Sequence, residues 1–145
     1  MNPGVSHQLM GKIPDAVRYY DQSRQVYQDV GDQRRAAEQD VNVAGLEVNY
    51  GGQIDTALRR LANARVALHK LGYVDFELSA MLGQAQGELA AGRMLESLRL
   101  LREATSIATE RQLKRHLGEL KTATATVEMF RGNYDAARQI VEPLV

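Results

Sequence analysis

GQIDTALRRLANARVALHKLGYVDFELSAMLGQAQGELAAG, residues 52–92, contains one complete copy of a unit that the rest of the chain repeats. Its first half carries apolar or small residues at Ala57, Leu61, Ala64, Leu68 and Leu71, the four-three-four-three spacing of one buried helix face. The second half, opening at Tyr73, returns along a second helical segment to Gly92, so the unit reads as a helical hairpin. Gly11, Gly52, Gly92 and Gly132 fall 41, 40 and 40 residues apart, the period expected of stacked helix pairs. Two positions after each glycine stands an apolar residue (Ile13, Ile54, Met94, Tyr134), and five positions after it a small one (Ala16, Ala57, Ser97, Ala137). The same register continues as Tyr20, Ser23, Tyr27 and Val30, as Leu101, Ala104 and Ala108, and as Val141 and Leu144.

Working outward, the pattern predicts seven helices: Pro14–Val30, Gln33–Tyr50, Ile54–Leu71, Asp75–Ala91, Met94–Glu110, Gln112–Arg131, and Tyr134 to the last residue. The expected fold is an all-α solenoid of antiparallel helix pairs with a right-handed superhelical curl. It divides into a partial repeat, 1–31, and repeats 32–71, 72–111 and 112–145 of a single domain, a fragment of a longer array. Residues 1–10 open on Pro-Gly and read as a turn or disordered start, with Ser6–Met10 as the tail of a helix. Gly31 and Gly72 are expected to close helices in the left-handed conformation, and Asp32 to cap the helix that follows. Gly52 is expected to need a positive φ, and Asp15, Asp55, Glu96 and Asp135 to sit in first helical turns, where they complement the helix dipole. TATATV, residues 122–127, is the most strand-like run, but its place in the repeat assigns it to a helix. Gly45, Gly83 and Gly87 lie inside helices, which calls for a close approach of packed neighbours.

Eighteen basic and eighteen acidic residues, intermixed along the chain, give no field that favours nucleic acid or a membrane. No cysteine is present, so thiolate metal sites and disulfides are excluded. No apolar run reaches the length of a membrane span and the start lacks a signal-peptide pattern, which places the protein in the cytoplasm by default. His7, His69 and His116 have no second ligand at metal spacing and read as surface histidines. Arg111, Lys114, Arg115, His116 and Lys121 form the densest basic cluster. With Glu110 and Glu119 four residues from a partner, they read as a solvated, self-paired helix surface. No nucleophile elbow, phosphate loop or dinucleotide fingerprint occurs. The reading is therefore a protein without enzymatic activity or cofactor.

VAGLEVNYGGQIDTALRRLANARVAL, residues 43–68, resembles the tetratricopeptide repeat. The small residue of helix A is Gly45, the turn glycine Gly52, and Ala57, Leu61 and Ala64 fill the family's positions in helix B. The pattern recurs as Ala85, Gly92, Ser97, Leu101 and Ala104, then as Ala125, Gly132, Ala137 and Val141. The period near 40, and the missing early tryptophan and final proline, are similar to the long-period repeats of kinesin light chains and bacterial signalling regulators. QDVGDQRRAAEQ, residues 28–39, is similar to a helix junction of the latter. The resemblance implies a groove lined by the first helix of each pair, through Asn42, Leu46, Asn49, Leu82, Gln86, Leu89, Thr122, Thr126 and Met129. It further implies a scaffold that binds a protein or peptide partner within a larger signalling or regulatory protein. The alternative is a spacer that packs on itself or on a neighbouring domain. Incomplete terminal repeats, with an uncovered apolar face on helix 1, predict self-association.

Overall fold

A computed structural model describes residues 3–51 and 53–142, with side chains for 12–50 and 53–142. Every regular element among the described residues is helical, and there are seven α-helices: α1 (Pro3–Asp29), α2 (Gln33–Leu46), α3 (Ile54–Leu71), α4 (Val74–Ala90), α5 (Met94–Glu110), α6 (Lys114–Phe130) and α7 (Tyr134–Val141). Between α2 and α3 the chain widens into a π-helical turn, Glu47–Gly51. It clusters into two compact units, residues 1–83 and 84–145, divided within α4.

Among the described residues one turn punctuates the chain five times. Gly31, Gly72, Gly92, Gln112 and Gly132 all lie at positive φ, between 57° and 83°. At each, the amide of that residue donates to the carbonyl three back, and the next amide donates to the carbonyl five back from itself, as in Gly92 to Leu89 and Arg93 to Glu88. The two bonds satisfy carbonyls that a helix end would leave bare. Glycine takes this conformation without strain; Gln112, the exception, does so with a Cβ. From Gly72 onward four of these turns recur every 20 residues, one per helix, where the glycine column read from the sequence marks every second one.

In the first unit α1 packs on α2 and α2 on α3. The predicted face is the core: Ala57, Leu61, Ala64 and Leu68 are all at most 2% exposed, against Ala37, Val41, Ala44 and Ala80. Gly83 is small for a reason, since a Cβ there would lie 3.1 and 3.2 Å from the two methyls of Leu61. In the second unit α5 packs on α6 and α6 on α7, with Ser97, Leu101, Ala104 and Ala108 buried as expected. Ser97 is fully enclosed and its hydroxyl donates to the Ala85 carbonyl at 2.7 Å, which fixes the start of α5 to α4. TATATV is helical: Thr122, Thr124 and Thr126 donate their hydroxyls to the carbonyls of Gly118, Leu120 and Thr122, which holds β-branched residues in a helix.

Several expectations are corrected. The chain is helical from Pro3, so Gly11 and Pro14 are inside α1 and Asp15 is not in a first turn. Pro14 withdraws one amide from the helix ladder without ending it. Asp55, Glu96 and Asp135 do sit in first turns. α6 begins at Lys114, because 111–113 form a turn; Glu110 and Lys114 therefore belong to different helices and are no i,i+4 pair. Val30, 72% exposed, falls one residue past α1, and Leu71, 40% exposed, ends α3; both lie past the buried part of the face. Gly45 meets nothing within 4 Å, so no packing contact requires it. Gly52 and Leu144 lie outside the described residues.

Candidate functional site

Of the nine expected groove positions, Asn42 and Leu46 stand on α2 and Asn49 in the π turn, while Leu82 lies on the first-unit part of α4. Asn42 and Asn49 are exposed and Leu46 half-buried. The Asn49 side-chain amide donates to the Gly45 carbonyl, 2.9 Å away, which leaves its second N–H and its carbonyl oxygen for other partners. In the second unit, Gln86 and Leu89 stand on α4 and Thr122, Thr126 and Met129 on α6. Gln86, Thr122 and Thr126 are exposed, Leu89 half-buried, and Met129 54% exposed.

Three of these residues meet in one cleft. Gln86 and Leu89 from α4 face Thr126 and Val127 from α6 across a space of about 100 Å³, with Ser97 and Leu101 of α5 behind. The small residues of the repeat make this floor: Ala85 and Ser97 keep the helices close, and the bond between them fixes the spacing. The Thr126 hydroxyl proton is spent on Thr122, so the wall offers acceptors and methyl groups and no charge. Thr122 and Met129 do not line it. Asn42, Leu46 and Asn49 form a separate trio in the first unit.

A second feature of that first unit was not visible in the sequence. Arg60 on α3 holds Asp21 of α1 through two hydrogen bonds, 2.8 and 3.4 Å, and its Nε lies 3.0 Å from Glu47 Oε1, off the line of a hydrogen bond. Asp40 of α2 lies 3.7 Å from Arg60 and accepts from Arg24 of α1 at 2.9 Å. Burial raises the Asp40 and Glu47 carboxyls above their ordinary range, and the arginines only partly offset it. For Arg60, burial works downward, but the Asp21 bond and the surrounding carboxylates more than reverse it. Three carboxylates thus share two guanidiniums across α1, α2, the π turn and α3. Residues 39 apart in sequence carry the key contact, and no local pattern marks such a pair.

The histidines divide. His69 is exposed as expected, its Nδ1 3.0 Å from buried Glu77, but His116 is 6% exposed and belongs to the interior of α6. The side chain of His7 lies outside the described residues. Of the basic cluster, Arg111, Lys114 and Arg115 are exposed, while Lys121 lines a larger cleft of about 740 Å³ between α5, α6 and α7. Among the described residues no group of histidine, aspartate and glutamate has the arrangement of a metal site, and no helix is long and apolar enough to cross a membrane. Set against models of known protein families the chain matches none, and it likewise finds no match among curated proteins.

Proposed function

We propose that this chain is a tetratricopeptide-like interaction module that binds an extended peptide segment of a partner protein on the second unit, where the end of α4 faces α6. The observation that carries this reading is the cleft where Gln86, Leu89 and Thr126 meet: uncharged, apolar at its floor, and held open by a fixed Ser97–Ala85 bond. Such a cleft suits one aliphatic side chain, with Gln86 beside it to bond the peptide backbone. The resemblance to the long-period repeats supports a place within a larger regulatory protein, in the cytoplasm and without catalysis. The test is selection from a displayed peptide library, followed by titration of the selected peptide against Leu89→Arg and Gln86→Ala. Loss of binding with an unchanged melting temperature supports the module. Selected peptides that bind both variants as they bind the parent would refute this face.

A self-associating spacer is the second reading, and a specific observation favours it. Tyr19 and Val26 of α1 and Val30 just past its end, spaced seven and four, are 65%, 60% and 72% exposed, an apolar stripe of the kind that pairs with another surface. Sedimentation of the parent against Val26→Glu decides it. A dimer that becomes a monomer supports the spacer; a parent that is monomeric at micromolar concentration excludes it.

A further inference from the structure

We propose that the larger cleft of the second unit, between α5, α6 and α7, binds a basic side chain, best an arginine, presented by a peptide. It shares no residue with the nine groove positions, so it stands apart from the function proposed above.

The argument begins with which lone pairs and protons the walls have left. Thr105 and Thr109 of α5 and Thr124 of α6 line the cleft, and each has already given its hydroxyl proton to its own helix, to Leu101, Thr105 and Leu120, all at 2.7 Å. What these hydroxyls present to an occupant is lone pairs alone. Beside them stands Glu128, 9% exposed. One of its oxygens accepts from Arg131 at 3.1 Å; the other, Oε2, is buried with no hydrogen-bond partner among the described residues. A buried carboxylate oxygen without a donor is held at a cost that an incoming donor relieves. The last torsion of a glutamate is soft, so a small turn presents that oxygen to the cleft.

Every one of these groups asks for a donor, and Glu128 asks for a positive one. A guanidinium has five donors in a planar fork, enough to serve a carboxylate and neighbouring hydroxyls at once. The remaining polar lining explains why the basic group should come on a peptide. Among the described residues neither Arg102 nor Lys121, which also line the cleft, has an ion-pair partner. Lys121 stands two turns before Glu128 on the same face of α6, roughly 10 Å along the axis. The cleft therefore combines acceptors, with Glu110 as a second carboxylate, and two cations. A basic residue in a peptide can serve both, with a positive tip for the carboxylates and main-chain carbonyl oxygens for Arg102 and Lys121. The volume, about 740 Å³, lies within the range of sites that enclose a small ligand.

The experiment uses N-acetyl-arginine amide as the probe and N-acetyl-citrulline amide, its neutral isostere, as the control, each titrated into the full chain with amide chemical shifts as the readout. The expected result is saturable shifts across 105–109 and 124–128 with the arginine probe, and affinity at least roughly tenfold weaker with the citrulline probe. Glu128→Gln, checked by circular dichroism for unchanged helix content, should weaken the arginine probe by about tenfold as well. If that variant does not fold, Thr124→Val removes an acceptor at nearly constant volume, and it should weaken the probe severalfold. No saturable shift up to millimolar probe, equal response to both probes, or undiminished binding in the folded variants would each overturn the proposal.

Discussion

Gln112 is the one residue that holds the repeated turn without being glycine, at φ 57°. Holding a residue with a Cβ in that region costs about 1 kcal/mol, so Gln112→Gly should stabilise the protein by about that much. Gly92→Ala, at φ 83° with nothing within 4 Å to clash, should lose a similar amount through backbone strain alone. Urea midpoints for the two variants test this, and equal midpoints for all three proteins would mean the turn conformation carries no strain. The Arg60 network makes a second prediction at this scale. Arg60→Leu leaves Asp21, Asp40 and Glu47 with Arg24 alone, and should cost about 3 kcal/mol. Glu47→Gln instead removes a carboxylate that burial already disfavours. The raised carboxyl of Glu47 binds its proton more tightly folded than unfolded, so its contribution to stability is complete at low pH and is lost as pH rises through the raised value. The glutamine variant lacks that loss. Its stability relative to the parent should therefore climb as pH rises above the ordinary glutamate range, and a pH-independent difference would show that Glu47 ionises without penalty.

At the scale of the element, what the sequence made legible follows from what leaves a local mark. The buried faces of α3 and α5 follow a period of three and four, and the bounds read for both match the structure residue for residue, Ile54–Leu71 and Met94–Glu110. Where a turn ends in glycine, as at Gly31, Gly72, Gly92 and Gly132, the residue type marks it; where it ends in Gln112 nothing does, and the pattern starts α6 two residues before Lys114. The π turn at Glu47–Gly51 has no residue type of its own, so the pattern runs through it as part of the preceding helix. Proline and glycine misled at α1, because a helix continues past one lost hydrogen bond when its neighbours are in place. Interior glycines separate by their surroundings, and a pair of alanine substitutions measures it. Gly45→Ala meets open space and should gain about 1 kcal/mol of helix propensity. Gly83→Ala gains the same propensity but pushes on the Leu61 methyls, so it should stabilise less or not at all. Equal gains at both sites would show that Leu61 moves aside freely.

For the whole molecule, packing runs between neighbours in sequence: α1 with α2 and α2 with α3 in one unit, α5 with α6 and α6 with α7 in the other. The candidate sites follow the same rule. Their residue types were readable one helix at a time, but Gln86, Leu89 and Thr126 became a cleft only through the spacing of α4 and α6, and Glu128 acquired its bare oxygen only through burial. Stability in such an array is close to a sum of neighbour interfaces, and damage should stay near its source. Leu61 is 1% exposed and contacts Ala44, Ala57 and Ala80. Truncating it to alanine should cost about 2 to 5 kcal/mol, since the rigid backbones around it leave a cavity that smaller side chains cannot fill. Hydrogen exchange then locates the loss. Amides of α2 and α3 should lose protection well before those of α6 and α7 in Leu61→Ala, and the order should reverse in Leu101→Ala, whose side chain is 1% exposed in the second unit. The same fall in protection at every helix in both variants would mean that the chain opens as one cooperative block and that its interfaces do not add.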